Sequence, residues 1–171
     1  MGLTFTPDTF ACGVAVCGPS NLTTFEQSIP PYWASELETL AKRVGDFRTE
    51  DGRKLLESRS PLTRAGAITR PLLIGQGAND PRVKQAESDQ IVKSMQARGI
   101  PVSYMLFSDE GHGFYRPENG KAFRAVQETF LAQCLGGKYQ PVGDDFKGST
   151  IAAPAGAEQV YGLEDALKQP R

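Results

Sequence analysis

Three short apolar runs punctuate the chain: Val14 to Cys17, Leu72 to Gly75 and Val102 to Phe107. The last two each open just after a proline, which suits a strand start because proline has no ladder donor to lose there. Near-continuous Val, Ile and Leu without clean alternation predicts strands covered on both faces. Between and after these runs the period lengthens. Trp33, Leu37, Leu40, Ala41 and Val44 make one stripe of an amphipathic helix that Gly45 can end. Phe123, Val126, Phe130, Leu131 and Cys134 repeat that stripe up to Gly136-Gly137, and Val83, Ala86, Ile91 and Met95 make a weaker one closed by Gly99-Ile100-Pro101. The resulting order of strand, helix, strand, helix, strand, helix predicts right-handed βαβ crossovers. The expected fold is therefore α/β, a parallel sheet of about three strands flanked by helices.

Three strands are few for 171 residues, and Val14 to Cys17 would lie at an edge with unpaired backbone groups. After Gly137 the chain changes character. Gly, Pro, Ala and Asp are scattered there with few large apolar residues, so 138–171 reads as an extended or disordered tail behind a domain of residues 1–137.

Composition narrows the function classes. With 39% hydrophobic and 23% charged residues, this is the make-up of a globular protein, and no apolar run is long enough to cross a membrane. A net charge of -1 leaves no electrostatic footprint for nucleic acid or acidic lipid. His112 is the single histidine, so a zinc site built on several imidazoles is excluded and imidazole acid/base chemistry rests on that residue. Cys12, Cys17 and Cys134 lack CxxC spacing. The odd separation of Cys12 and Cys17 points them to opposite faces of a strand, and the expectation is free buried thiols. Met1 to Phe10 carries no visible export signal, which leaves the compartment open, cytoplasmic or periplasmic for an intact protein.

In a parallel sheet, chemistry gathers where loops leave the carboxyl ends of strands. The run Leu72-Leu73-Ile74 leads into Gly75-Gln76-Gly77-Ala78-Asn79-Asp80, and the run ending at Phe107 leads into Ser108-Asp109-Glu110-Gly111-His112. Neighbouring strands thus deliver a carboxylate and an imidazole to one rim. Such a pair suits nucleophilic acyl transfer, in which the imidazole takes the nucleophile's proton and the carboxylate fixes its tautomer. Alone, each has an ordinary reading: Asn79-Asp80-Pro81 as a turn and helix cap, His112 as a glycine-flanked loop residue. Only the two together are informative.

The stretch from Arg70 through Asp80 to Val83, then Ala97-Arg98-Gly99-Ile100-Pro101-Val102 and Glu110-Gly111-His112-Gly113-Phe114, resembles the catalytic domain of the prolyl oligopeptidase family. Ser28-Ile29-Pro30-Pro31-Tyr32-Trp33 and Phe10-Ala11-Cys12-Gly13-Val14 look like the same domain. The similarity is greatest to bacterial dipeptidyl and acylaminoacyl peptidases. It implies a partial α/β-hydrolase fold, with Asp80 as triad acid, His112 as triad base and no cofactor. These peptidases carry their serine in a G-x-S-x-G elbow, which this sequence lacks. By the resemblance the elbow precedes the segment like Gly2 to Pro7, so the expectation is a C-terminal fragment, truncated after the elbow and inert alone.

Ser20, just past the first run, is the one substitute nucleophile worth weighing, although Leu22 stands where an elbow glycine is needed. Cys17 at the strand end reads as a small buried hydrophobe. Tyr32 and Trp33 are candidates for an apolar substrate pocket, although Trp33, which begins the helical stripe, is better suited to the core. Asp109 and Glu110 read as solvated, Arg82 as a local ion pair or a solvated side chain, and Asp144 and Asp145 form no metal-ligand pattern. Gly75-Gln76-Gly77 is no dinucleotide fingerprint. The first expectation is thus a serine peptidase acting on peptide or acyl-peptide bonds, with peptide as partner in the intact enzyme. A non-catalytic assembly unit, pairing its open edge with the missing N-terminal part or a second copy, and an esterase with the same acid and base are the alternatives.

Overall fold

The apolar runs around Leu73 and Met105 form the two central strands of a four-stranded sheet. The structure, a computed structural model, describes residues 1–169. In chain order the elements are α1 (Gly2–Phe5), β1 (Gly13–Val16), α2 (Leu22–Gln27), α3 (Ala34–Arg43), α4 (Glu50–Arg59), β2 (Leu72–Gly77), α5 (Gln85–Gln96), β3 (Val102–Phe107), α6 (Pro117–Leu135), β4 (Ile151–Ala155) and α7 (Leu163–Lys168). Short 3-10 turns link several of them. The strand order is β1-β2-β3-β4, with β1, β2 and β3 parallel. The expected three parallel strands are present, joined by a fourth that runs antiparallel to β3.

Every residue of β2 is buried, as continuous apolar strands require when both faces are covered. Leu73, Met105 and Phe107 point to one face, where α6 supplies Phe123, Val126 and Phe130. Leu72, Ile74, Val102 and Tyr104 point to the other, where α5 supplies Ile91, Val92 and Met95. Helix α6 ends as expected at Gly136, whose φ of 73° lies in the left-handed region that glycine adopts without strain.

Three expectations are corrected. The stretch read as an extended or disordered tail folds back: β4 pairs with β3, and Phe146, Ile151, Val160, Leu163 and Ala166 complete the core against α6. Its strand is written in Ala152, Ala153 and Pro154, residues too small or too turn-like to signal a strand, while burial rests on Ile151 and Ala155 at its ends. Residues 170 and 171 of that stretch lie outside the described residues. The stripe from Trp33 to Val44 does form a helix, but no residue of α3 is buried, so its apolar side is not part of this core. Finally, Cys12 and Cys134 form a disulfide and only Cys17 is a free thiol. A sequence separation of 122 hides that the segment entering β1 passes the end of α6.

β1 is the outer strand on its side, and Val16 and Phe10 are exposed there at 44% and 49%. Beside it opens an apolar cleft of ≈ 470 Å³ lined by Leu3, Phe10, Val14, Ala15, Pro19 and Leu22.

Candidate active site

The rim at the carboxyl ends of β2 and β3 is assembled by backbone contact. Beyond β2, the Ala78 amide donates to the Phe107 carbonyl at 2.9 Å and the Asn79 amide to the Glu110 carbonyl at 2.9 Å, stitching the two post-strand loops together. Gly77 allows this approach, because a β-carbon there would overlap the Gly111 carbonyl oxygen. Asp80 and His112 emerge from these two loops.

Asp80 Oδ1 accepts from the Arg82 and Val83 amides at 2.8 and 2.9 Å, a capping turn that fixes the carboxylate. Oδ2 lies 2.8 Å from His112 Nδ1. The Asp80 side chain is fully buried, whereas that of His112 keeps 35% exposure. Burial pushes the Asp80 carboxyl up, but the Val83 and Arg82 amides and the His112 imidazole outweigh it and hold the group below the ordinary aspartate range. An ionised carboxylate at Nδ1 assigns that nitrogen as the protonated one and leaves Nε2 to accept a proton from a reacting group.

The His112 loop is anchored from behind. Buried Glu110 accepts from the Tyr115 amide at 3.1 Å and from the Arg116 amide and Asn119 Nδ2 at 2.9 Å each, which ties the loop to the start of α6. Glu110 is therefore a structural anchor and not the solvated neighbour expected. Asp109 is bound by the Thr150 hydroxyl and by Asn119, with Arg116 beside it at 3.0 Å. The Thr150 hydrogen bond leads in holding Asp109 below the ordinary range.

Ser20 does not join this pair. Its hydroxyl donates to the Glu87 carbonyl at 2.6 Å and accepts from Gln90 at 2.9 Å, and its amide donates to the Glu87 carboxylate at 2.9 Å. The residue is buried as a link between the β1 loop and α5, so its expected role as a substitute nucleophile is replaced by a structural one. Trp33 is half-buried, with the Arg82 guanidinium 5.2 Å from its ring centroid, and Tyr32 packs edge-on against it at 6.3 Å. Of the two readings of Arg82, the exposed side chain fits the solvated one, and its guanidinium lies over the Trp33 ring, which brings Trp33 alongside the Asp80 turn.

Cys17 is the residue that sequence reasoning undervalued. One position beyond β1, it turns the chain with a φ of 49°, and its sulfur lies 4.0 Å from the Gly111 carbonyl. Its sulfur, an Asp80 oxygen and a His112 nitrogen all lie within 4.8 Å of one another. Burial pushes the Cys17 thiol up. The signal was present in the sequence: Cys17 ends the first run on the same rim as the loops that carry Asp80 and His112.

A model of the prolyl oligopeptidase family matches residues 1–138. Dipeptidyl aminopeptidase BIII from Pseudoxanthomonas mexicana is 70% identical over 167 residues, 98% of this chain and 24% of the relative. Dipeptidyl peptidase family member 6 from Caenorhabditis elegans is 56% identical over 142 residues, 82% of this chain and 19% of its own. A puromycin-hydrolyzing peptidase from Mycobacterium tuberculosis superposes with a TM-score of 0.69 at 27% identity, over 79% of this chain and 20% of that structure. The chain spans at most about a quarter of the length of the curated relatives it matches. With an α/β fold, an Asp80–His112 pair on the rim and this match across most of its length, the chain belongs to the prolyl oligopeptidase family.

Proposed function

We propose that this chain supplies the acid and base of a serine peptidase that releases dipeptides from the N-terminus of peptides, the nucleophilic serine coming from polypeptide outside this sequence. The observation that carries the reading is the 2.8 Å contact between His112 Nδ1 and the buried Asp80 carboxylate. In that reaction Nε2 of His112 takes the serine proton as the hydroxyl attacks the scissile carbonyl. Asp80 keeps the imidazole in the tautomer that accepts at Nε2 and stabilises the imidazolium that forms. His112 then returns the proton to the leaving amine, and water cleaves the acyl-enzyme by the same relay. The resemblance at 70% and 56% identity to a dipeptidyl aminopeptidase and a dipeptidyl peptidase family member supports this substrate class. Tyr32 and Trp33, beside the Asp80 turn through Arg82, would face the substrate.

The open side of the sheet supports a partner role for the polypeptide that carries the serine. The outer edge of β1 and the apolar cleft beside it are the places where further strands and helices of the same domain would pack.

A fluorophosphonate probe tests both parts. The isolated chain is expected to stay unlabelled, and a longer polypeptide that includes the upstream elbow to be labelled at its serine in a manner that His112→Ala abolishes. Stoichiometric labelling of the isolated chain at Ser20, lost with His112→Ala, would overturn the account. Turnover of simple esters but not of dipeptidyl amides by the longer polypeptide would move the assignment to an esterase.

A further inference from the structure

Two strand ends supply the acid and the base, and the third supplies a thiol that proton relay does not use. We propose that Cys17, Asp80 and His112 form a binding site for a thiophilic divalent cation of the Zn²⁺ or Cd²⁺ class, which takes His112 Nδ1 away from Asp80. A sulfur, an imidazole nitrogen and a carboxylate oxygen are the donor set that such borderline-soft ions select. The three donor atoms lie within 4.8 Å of one another, and an ion among them requires the 2.8 Å contact of Nδ1 with Oδ2 to open slightly and the sulfur to close in by about 1 Å. Asp80 is already fixed through Oδ1 by two backbone amides, leaving Oδ2 to swing from nitrogen to metal. The 35% exposure of the His112 side chain gives the ion its way in and its fourth position to water.

Charge and proton balance are consistent with the site. A thiolate and a carboxylate neutralise a divalent ion, which removes the cost of leaving charge unpaired in a buried cluster. Coordination releases the thiol proton of Cys17 to solvent and moves the Nδ1 proton of His112 to Nε2. An imidazole protonated at Nε2 and metallated at Nδ1 has no lone pair for a serine proton. The bound ion would therefore switch the relay off, a consequence that rests on the peptidase reading, whereas binding itself rests on the geometry alone.

The full chain, with its Cys12–Cys134 disulfide intact, offers one free thiol and one imidazole, so both readouts are unambiguous. Titration with Cd²⁺ is expected to give one tightly bound ion, a sulfur-to-metal charge-transfer band, and a shift of the His112 Nδ1 resonance in nitrogen NMR. Cys17→Val should abolish the band and weaken binding at least 10-fold. His112→Gln should weaken it while retaining the band. An unshifted His112 resonance in the unmodified chain on saturation with Cd²⁺ overturns the proposal whether or not the variants fold, and so does a band or affinity retained in Cys17→Val. Probe labelling of the longer polypeptide without added metal separates the two ideas: failure there removes the peptidase reading and leaves the cation site standing.

Discussion

The two edges of the sheet are built differently. On the β4 side the chain folds back, Ala152 and Pro154 face outward, and Ile151, Val160 and Leu163 seal the core. On the β1 side Val16 and Phe10 are exposed, an apolar cleft lies open, and α3 buries none of its residues. The difference teaches where this chain's own stability resides. Most of the buried core lies on β2, β3, β4, α5 and α6, and Asp80 and His112 sit on the loops between these elements. The β1 side presents apolar surface that this chain leaves uncovered.

If the closed side carries the chemistry, the largest effect comes from the pair itself. In a longer polypeptide that carries the serine, Asp80→Asn is expected to slow probe labelling on the order of 10⁴-fold by releasing the imidazole from its tautomer. A loss of less than 10-fold would mean that Asp80 only caps a turn. Stability comes next. Phe107 is fully buried between Phe114 and Phe123, with ring centroids 4.4 and 6.3 Å away, and Phe107→Ala should cost about 3–5 kcal/mol in urea unfolding.

Smaller effects probe the other side. Glu26 on α2 is buried, and burial, outweighing the nearby Phe47 backbone amide, pushes its carboxyl above the ordinary glutamate range. A raised folded value in an acid means that ionisation opposes folding at neutral pH and that the penalty disappears as pH falls through that value. Glu26→Gln should therefore stabilise the fold at neutral pH by roughly 1 kcal/mol or less, seen as a higher melting temperature, and lose the advantage in acid. Equal gains at both pH values would show that the charge is not the cause. Smallest of all, Val16→Lys should change stability by less than about 0.5 kcal/mol while shifting sedimentation toward monomer, since a lysine on an edge strand discourages pairing.

What was legible in the sequence follows the same division. Leu72 to Ile74 and Val102 to Phe107 are buried on both faces and read directly as strands, and the stripe from Phe123 to Phe130 read directly as the helix over them. The Asp80–His112 pairing was legible because both residues lie on the loops that follow those strands. Features decided by distant pieces of chain were not. β4 depends on pairing with β3 and not on its own Ala-rich pattern, and α4, with Gly52 and only Leu56 buried, carries no stripe to recognise. The Glu110 anchor and the Cys12–Cys134 link are contacts between segments that no local period records. The Trp33 stripe was legible as a helix but not as one that stays uncovered, because amphipathicity does not say which molecule supplies the cover.

The antiparallel strand at the far side also limits growth. A sheet with two receptive margins can extend copy by copy into a fibre, whereas this one has a receptive margin only at β1. At the other margin a five-residue strand interrupted by Pro154 lacks one backbone donor and offers a poor template. A second copy meeting β1 about a two-fold axis would use up the last receptive margin, whereas added strands of the same domain would move that margin outward. Residues 151–155 thus act as a terminator on their own side, and growth of this sheet is confined to the β1 side.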